Sequence, residues 1–259
     1  MEVILELPKS EKIHRAMGSI LQGALMEIIG VETSKKLHAE GLRPYSQCVY
    51  FDKNKNLPIW RVNVLNDWAC EKILAPLKKQ QQIFLRHKNY RVNLLQHKIT
   101  AEESYEDMAE RFMSNSVPIS KSVDVDFVTT VSFRRDGQYV IFPEIYLIVQ
   151  SLLNRWNNFS SSFVVDGENL PQVLANFFVV KDYDFHSQLF LLEHQKIAGF
   201  CGRMCANFEG DNTTNRLLGL LFEYANYSGV GIKTALGMGA VKTKLKFIKI
   251  CGVQSSCKI

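Results

Sequence analysis

The sequence lacks the short motifs by which common metal sites are recognised. None of its six cysteines belongs to a Cys-x-x-Cys pair, so a zinc site is not expected. Cys201 and Cys205 lie in an apolar run and are expected to pack as small hydrophobic residues. No secretory leader and no membrane-spanning segment is visible. We therefore expect a reduced, cytoplasmic protein without a metal centre and without a membrane partner.

Acidic residues are absent from two long stretches of the 259-residue chain. Lys72 to Ala101 contains seven lysines or arginines and no acid, and Tyr224 to Ile259 contains six lysines and no acid. The net charge of the whole chain is only +5. The distribution of charge, more than its total, therefore favours a polyanionic partner. That the basic residues serve solubility alone remains an open alternative.

The segment from Tyr227 to Lys246 carries two Gly-x-Gly pairs, formed by Gly229 with Gly231 and by Gly237 with Gly239. A helical pattern precedes these glycines, and a strand alternating apolar and basic residues follows them. A dinucleotide-binding fingerprint needs the opposite order and a third glycine, and a Walker loop needs a closing Gly-Lys-Ser/Thr. Neither motif is present. What remains is a lysine-bearing, glycine-rich loop whose backbone N–H groups could face a phosphate chain.

The first half of the chain predicts a β-α-β-β-α-β order, which is that of the ferredoxin-like fold. The expected elements are a strand over residues 2–7, a helix from Glu11 capped by Ser10, a short helix from Thr33 or Ser34 to Gly41, a hairpin of Tyr45–Phe51 and Leu57–Leu65, a helix capped by Asn66 that runs through Leu74, and one or two basic strands within Ile83–Thr100.

The second half repeats this pattern after a helix near Tyr105 to Met113. The expected elements are a strand over Val123–Arg134, a partner strand over Tyr139–Phe142, a helix opened by Pro143, strands over Phe177–Phe185, Gln188–Leu192 and Lys196–Phe208, a helix from Leu217, and a final strand from Val241. The tryptophans at 60, 68 and 156 are expected in the core.

The sequence thus predicts an α+β protein of two tandem ferredoxin-like (RRM-like) domains with a C-terminal glycine-rich loop. We place the domains at residues 1–115 and 123–250, with a tail over 251–259.

Four stretches together carry a family resemblance. They are the glycine-rich loop between a helix and a basic strand, Arg134–Pro143 with Ser151–Trp156 after it, Ile197–Gly202, and the N-terminal pieces His14–Gly23, Leu37-His38 and Tyr45-Ser46. The chain resembles the RAMP superfamily of CRISPR-associated RNA-binding proteins. Within it, the chain is most similar to the endoribonuclease that cleaves CRISPR repeat transcripts into guide RNAs.

The resemblance implies metal-independent RNA cleavage without a cofactor, in which a ribose 2′-OH attacks the adjacent phosphate and leaves a 2′,3′-cyclic phosphate and a 5′-OH. His38 matches the catalytic histidine, and an imidazole suits proton transfer near neutral pH. Arg43 lies close to where the family often has a lysine, and it would stabilise charge without donating a proton. Met26 occupies the position at which some family members have a catalytic tyrosine. Tyr45 could take that role, and a half-buried strand tyrosine is the structural alternative. Without the resemblance, His38 would be assigned as a surface or C-capping residue.

The expected partner is CRISPR repeat RNA, the precursor of guide RNA, with a CRISPR effector complex and a homodimer left open. The residues expected to bind RNA are basic or belong to the glycine-rich loop: Lys35, Lys36, Arg134, Arg135, Gly229, Gly231, Lys233, Gly237, Gly239, Lys242 and Lys244. Alternation would place Lys246 on the same strand face as Lys242 and Lys244, opposite Val241, Leu245 and Phe247. For these lysines a solvated edge strand is the structural alternative.

Two other functions stay open at this point. A non-catalytic RAMP subunit that holds guide RNA would use the glycine-rich loop and would not need His38. A mononucleotide-binding enzyme is disfavoured by the helix-to-strand order around the loop.

Overall fold

The computed structural model describes residues 1–39, 41–114, 117–161, 163–192 and 195–247. The predicted tail over 251–259 lies outside the described residues, as does the end of the predicted second domain from residue 248. None of the helices in the described part is long and apolar enough to cross a membrane.

Residues 2–98 build a five-stranded antiparallel sheet with helices packed against it. Its elements are β1 (Glu2–Glu6), α1 (Met17–Ile29), α2 (Val31–Ala39), β2 (Tyr45–Asp52), β3 (Leu57–Val64), α3 (Asp67–Ala69), a π-helical turn over Cys70–Leu74, α4 (Ala75–Lys78), β4 (Gln82–Leu85) and β5 (Tyr90–Lys98). The strand order is β2-β3-β1-β5-β4. This is a ferredoxin-like sheet to which β4 adds one edge strand.

A helix, α5 (Tyr105–Met113), leads to a four-stranded sheet of order β11-β6-β10-β9. The elements of this half are β6 (Ser120–Val131), a small separate hairpin of β7 (Phe133–Arg135) and β8 (Gln138–Val140), α6 (Ile145–Phe159), α7 (Leu170–Asn176), β9 (Phe178–Leu192), β10 (Gln195–Phe208), α8 (Asn212–Ser228) and β11 (Val241–Phe247). The predicted α+β fold with tandem ferredoxin-like units is confirmed. The domain boundaries themselves stay a prediction.

The first helix begins later than predicted. It starts at Met17 after Ala16, which makes no side-chain capping bond, so the prediction of a start at Glu11 with Ser10 as cap is wrong. The Glu11 N–H instead closes a turn onto the Pro8 carbonyl. Of residues 9–15 only Ile13 is a large apolar residue, so this segment has no apolar stripe to hold a helical turn against the core.

Two predicted strand boundaries were also wrong. The two strands predicted from Phe177 to Leu192 are one continuous strand, β9. The single strand predicted over Val123–Arg134 is interrupted at Ser132, whose carbonyl accepts the Ile232 N–H from the glycine-rich loop. This second break comes from a tertiary contact with a distant segment, which periodicity does not reveal.

Trp60 and Trp156 are fully buried, as predicted, whereas Trp68 is partly buried and packs against the core of the first sheet. The Lys36 ammonium lies over the Trp68 ring, 4.4 Å from the ring centroid. At the end of β11, Phe247 is 47% exposed, so it does not pack inward as the alternation predicted.

The glycine-rich loop, Gly229–Gly239, joins the two halves through direct backbone contact. Gly237 and Gly18 of α1 approach so closely that a Cβ on Gly18 would lie 2.9 Å from the Gly237 Cα. Gly237 also has a φ of +100°, which a residue with a side chain rarely adopts. Glycine is therefore required on both sides of this contact.

The buried side-chain amide of Gln47, a residue of the first sheet, also holds this junction together. The Gln47 Nε2 on β2 donates to the Gly18 carbonyl at 3.1 Å and to the Ala235 carbonyl at 2.8 Å, and Trp60 Nε1 donates to Gln47 Oε1. Three of its four hydrogen-bonding positions are thus used. One side chain therefore aligns β2, α1 and the loop.

The Gly18–Gly237 contact predicts a difference between two glycines of one helix. Gly18→Ala should lower the free energy of unfolding by about 1–3 kcal/mol, because the new Cβ meets backbone atoms. Gly23→Ala is the matched control, since a Cβ there meets nothing within 4 Å, and it should raise stability by about 0.5–1 kcal/mol. Urea unfolding monitored by circular dichroism measures both. Equal effects of the two substitutions would contradict the contact.

Candidate active site and nucleic-acid interface

His38 and Arg43 are adjacent at the start of the segment that leads from α2 into β2. His38 is exposed on the last turn of α2, and Arg43 Nη2 lies 3.3 Å from its Nδ1. A guanidinium can only donate hydrogen bonds, so Nδ1 accepts and the proton of the neutral imidazole sits on Nε2. The structure thus brings together the two residues predicted for proton transfer and charge stabilisation.

The two lysines predicted to bind RNA beside His38 differ in their surroundings. Lys35 and Lys36 are both exposed on α2. Lys36 is held over the Trp68 ring, an arrangement in which the ring face attracts the ammonium. Both cations remain available to solvent on the helix that carries His38.

Tyr45 begins β2, two residues beyond Arg43, but its side chain is completely buried. Among the described residues, no hydrogen bond of ordinary geometry reaches its hydroxyl. Burial raises the pKa of that hydroxyl, and this effect outweighs the opposing influence of Arg43 and Gln22. A buried phenol with a raised pKa is poorly suited to exchange a proton with a ligand in solvent, so the structure does not favour Tyr45 as a catalytic residue.

The backbone N–H groups of the glycine-rich loop are largely used inside the protein. Donors to oxygen atoms of the chain include the N–H groups of Gly229, Val230, Gly231, Ile232, Leu236, Gly237, Met238, Gly239 and Ala240. Gly229, Gly237 and Gly239 are buried. The glycines therefore have a packing role in this structure, and their contact with RNA stays a prediction.

Lys233 is the one charged residue between Gly229 and Gly239. It is half-buried with a φ of +54°, and its carbonyl accepts the N–H groups of Leu236 and Met238. The loop thus offers an anion the side chain of Lys233.

The lysines of β11 are exposed, but carboxylates lie opposite them. Lys242 and Lys244 face Asp126 and Asp124 across the β6–β11 pairing. Lys246 forms an ion pair with Asp124 at 2.8 Å, and this bond lowers the pKa of the Asp124 carboxyl. The surface around the lysines of β11 therefore has less net positive charge than the sequence of β11 alone indicated.

The β7–β8 hairpin presents Arg134 and Arg135 to solvent. Arg135 is held by two hydrogen bonds to the Glu144 carboxylate, at 2.8 and 2.9 Å. No ion pair of Arg134 is found within the described ranges. Arg134 is the more available cation of the two.

Two residues that support the loop were missed by the sequence-based prediction. Ser151 Oγ accepts the Gly231 N–H at 2.8 Å, and Arg155 Nη2 donates to the Gly231 carbonyl at 3.2 Å. Arg155 is buried, and burial lowers the pKa of its guanidinium. Its charge on the apolar face of α6, one residue before the core Trp156, was the signal that could have found it.

The described part of the chain contains no group of three or more His, Cys, Asp or Glu side chains placed to hold a metal ion. Cys201 is buried, in line with its predicted packing, and Cys205 is half-buried.

Comparisons with known proteins point to one family. A family model described as "CRISPR-associated endoribonuclease Cas6" matches residues 125–241. The CRISPR-associated endoribonuclease Cas6 of Streptococcus thermophilus is 28% identical over 221 residues, which are 85% of this chain and 88% of that protein. Its namesake in Mycobacterium tuberculosis (strain CDC 1551 / Oshkosh) is 26% identical over 234 residues, 88% of this chain and 72% of that protein.

Solved structures show the same fold. A Cas6 product complex is 22% identical, has a TM-score of 0.76 and covers 94% of this chain and 97% of its own. Thermus thermophilus Cas6 is 20% identical, has a TM-score of 0.69 and covers 94% of this chain and 96% of its own. The family resemblance drawn from the sequence is confirmed.

The buried Tyr45 hydroxyl predicts an unusual response to its removal. Tyr45→Phe should change the free energy of unfolding by less than about 1 kcal/mol, because Gln22 and Arg43 lie near the buried hydroxyl without forming a hydrogen bond of ordinary geometry to it. Tyr224→Phe is the control, since that hydroxyl bonds Tyr105 and the Arg155 carbonyl, and it should cost about 1 kcal/mol. A clear destabilisation in urea unfolding by Tyr45→Phe would show that the hydroxyl has a partner.

Proposed function

We propose that this chain, a homologue of the Cas6 endoribonucleases, cleaves CRISPR repeat RNA without a metal ion to produce guide RNAs. The observation that carries the proposal is the solvent-exposed pair of His38 and Arg43, 3.3 Å apart. It lies in a chain that aligns with curated endoribonucleases over most of its length.

The reaction needs no external nucleophile, because the ribose 2′-OH attacks the neighbouring phosphate. It needs a group that takes the 2′-OH proton, a proton for the leaving 5′-oxygen, and positive charge around the phosphorane. His38 takes the 2′-OH proton and, as an imidazolium, returns it to the leaving 5′-oxygen. Arg43, Lys35 and Lys36 supply the positive charge. A similar solved structure is that of a histidine-to-alanine mutant of a Cas6 protein.

Arg43 couples substrate binding to the hydrogen bonding of His38 Nδ1. A phosphate accepts two hydrogen bonds from a guanidinium and is a stronger acceptor than a neutral imidazole nitrogen. When the scissile phosphate arrives, Arg43 turns from His38 Nδ1 to the phosphate oxygens. His38 then has a free lone pair with which to accept a proton.

RNA binding falls to cations around this site and along the second half of the chain. Arg134 and Lys233 are the strongest candidates, and Lys242 and Lys244 contribute less because Asp126 and Asp124 face them. Three further expectations stay predictions. They are the division into domains at residues 1–115 and 123–250, a CRISPR effector complex or a second copy as partner, and a cytoplasmic location.

The function is tested by incubating repeat RNA with the protein in EDTA. Wild type should cut once per repeat and leave 2′,3′-cyclic phosphate ends. His38→Ala should cut about 10²–10⁴-fold more slowly with unchanged RNA affinity, because proton transfer is lost. His87→Ala, at an exposed histidine in the β4–β5 turn, is the control and should keep full activity.

Three outcomes would overturn this proposal. Cleavage that requires a divalent metal ion contradicts the mechanism, and a fully active His38→Ala contradicts the role of that residue. Wild type that binds repeat RNA but never cuts it would instead support a non-catalytic RNA-binding subunit.

The hairpin arginines should contribute unequally to RNA affinity. Arg134→Ala should weaken binding several-fold and lower the slope of log K against log salt by about 1, as expected for one lost phosphate contact. Arg135→Ala should have a smaller effect, because Glu144 already neutralises Arg135. Fluorescence anisotropy over a series of salt concentrations measures both, and a larger effect for Arg135→Ala would contradict the prediction.

A further inference from the structure

A cluster of polar side chains connects the two halves of the chain beside the glycine-rich loop. Arg15, just before α1, extends its Nη1 to Gln188 Oε1 of β9 at 3.4 Å and to Cys201 Sγ of β10 at 3.9 Å. His186 Nε2 lies 2.9 Å from the same sulfur. Neither the sequence motifs nor the proposed function accounts for this cluster.

Arg15 is an exposed cation without a carboxylate partner. Within the described ranges it makes no ion pair, and its hydrogen-bond acceptors are an amide oxygen and a thiol, both at long distance. The first turn of α1, which follows it, contains no acidic residue. Its guanidinium therefore has unused hydrogen-bond donors.

Gln188 adds further donors at the same place. Its Oε1 accepts from Thr130 Oγ1 at 3.0 Å and from Arg15, so the oxygen side of the amide is occupied. Its Nε2 makes no hydrogen bond to any described residue, which leaves two N–H donors free. The arrangement fixes the amide so that it offers donors only.

His186 completes the group. It lies opposite Cys201 across the β9–β10 pairing, and its ring is exposed. The carboxylates of the neighbouring strands are Asp124 and Asp126 on β6 and Asp182 and Asp184 on β9. Asp124 is paired with Lys246, and Asp126 and Asp184 lie on either side of Arg203. All four precede Thr130 and His186 on their strands, on the side away from Gln188. Donors therefore predominate at the Arg15 end of this face.

The position of the cluster connects it to the loop. Phe190, two residues beyond Gln188 on β9, packs with Met238 of the loop, and its ring lies 3.7 Å from where a Cβ on Gly237 would be. Gly18, three residues after Arg15, contacts Gly237 from the other side. The cluster thus borders the junction at which the two halves meet.

We propose that Arg15, Gln188 and His186 form a binding site for the phosphodiester backbone of RNA that crosses between the two halves. The site is independent of base sequence, because guanidinium and amide N–H groups bind phosphate oxygens and read no base edge. The identity of the RNA as CRISPR repeat RNA rests on the proposed function. The site extends the RNA path from the hairpin and Lys233 to the N-terminal segment.

The test uses the full chain and CRISPR repeat RNA of the source organism carrying 2′-O-methyl groups throughout, which has no 2′-OH for cleavage. Arg15→Ala should weaken binding several-fold and lower the salt slope by about 1, Arg15→Lys should recover most of the affinity, and Gln188→Leu should weaken binding less than Arg15→Ala. Lys181→Ala is the control on the same strand, because Lys181 is paired with Glu209, and it should bind as wild type does.

The outcomes separate the site from the proposed function. An Arg15→Ala protein with wild-type affinity and salt slope overturns the site, whatever the cleavage assay shows. Loss of affinity in Arg15→Lys equal to that in Arg15→Ala, together with a lowered melting temperature in both, would make Arg15 a structural link only and also overturns it. Wild type that binds this RNA but does not cut unmodified repeat RNA overturns the proposed cleavage and leaves the site supported.

Discussion

The contact between Gly18 and Gly237 determines how the two sheets meet. Neither residue tolerates a side chain there, so helix α1 and the glycine-rich loop touch backbone to backbone. Gln47 then bonds the carbonyls of both segments from β2. Because β2 begins just after Arg43, and α2 with His38 packs on α1, the position of the candidate active site depends on this junction.

The fold was largely predictable because two kinds of local signal agreed. Alternating strands and apolar helix faces gave two β-α-β-β-α-β units, and the structure has both. One exception has a tertiary cause and another a local one. The break at Ser132 comes from a loop a hundred residues away, and the late start of α1 reflects a segment, residues 9–15, that has too few apolar side chains to pack.

The candidate site was less predictable than the fold. Motif resemblance found His38 and Arg43, and the structure brings them together. Tyr45 was chosen by sequence position, which carries no information on burial. The loop glycines were chosen as phosphate ligands because a glycine allows either a ligand or another backbone to approach, and only the three-dimensional structure distinguishes the two. The charge of Arg155 on an apolar helix face could have singled it out, but Ser151 could not be assigned without the loop that it supports.

The placement of Ala235 has a consequence for folding. This loop residue belongs to the hydrophobic core of the first sheet, although the chain around it belongs to the second. The first half on its own would leave that position empty and the Gln47 amide with one acceptor fewer. Such an arrangement couples the two halves thermodynamically, so that they melt in one cooperative transition and neither is a fully stable folding unit without the other.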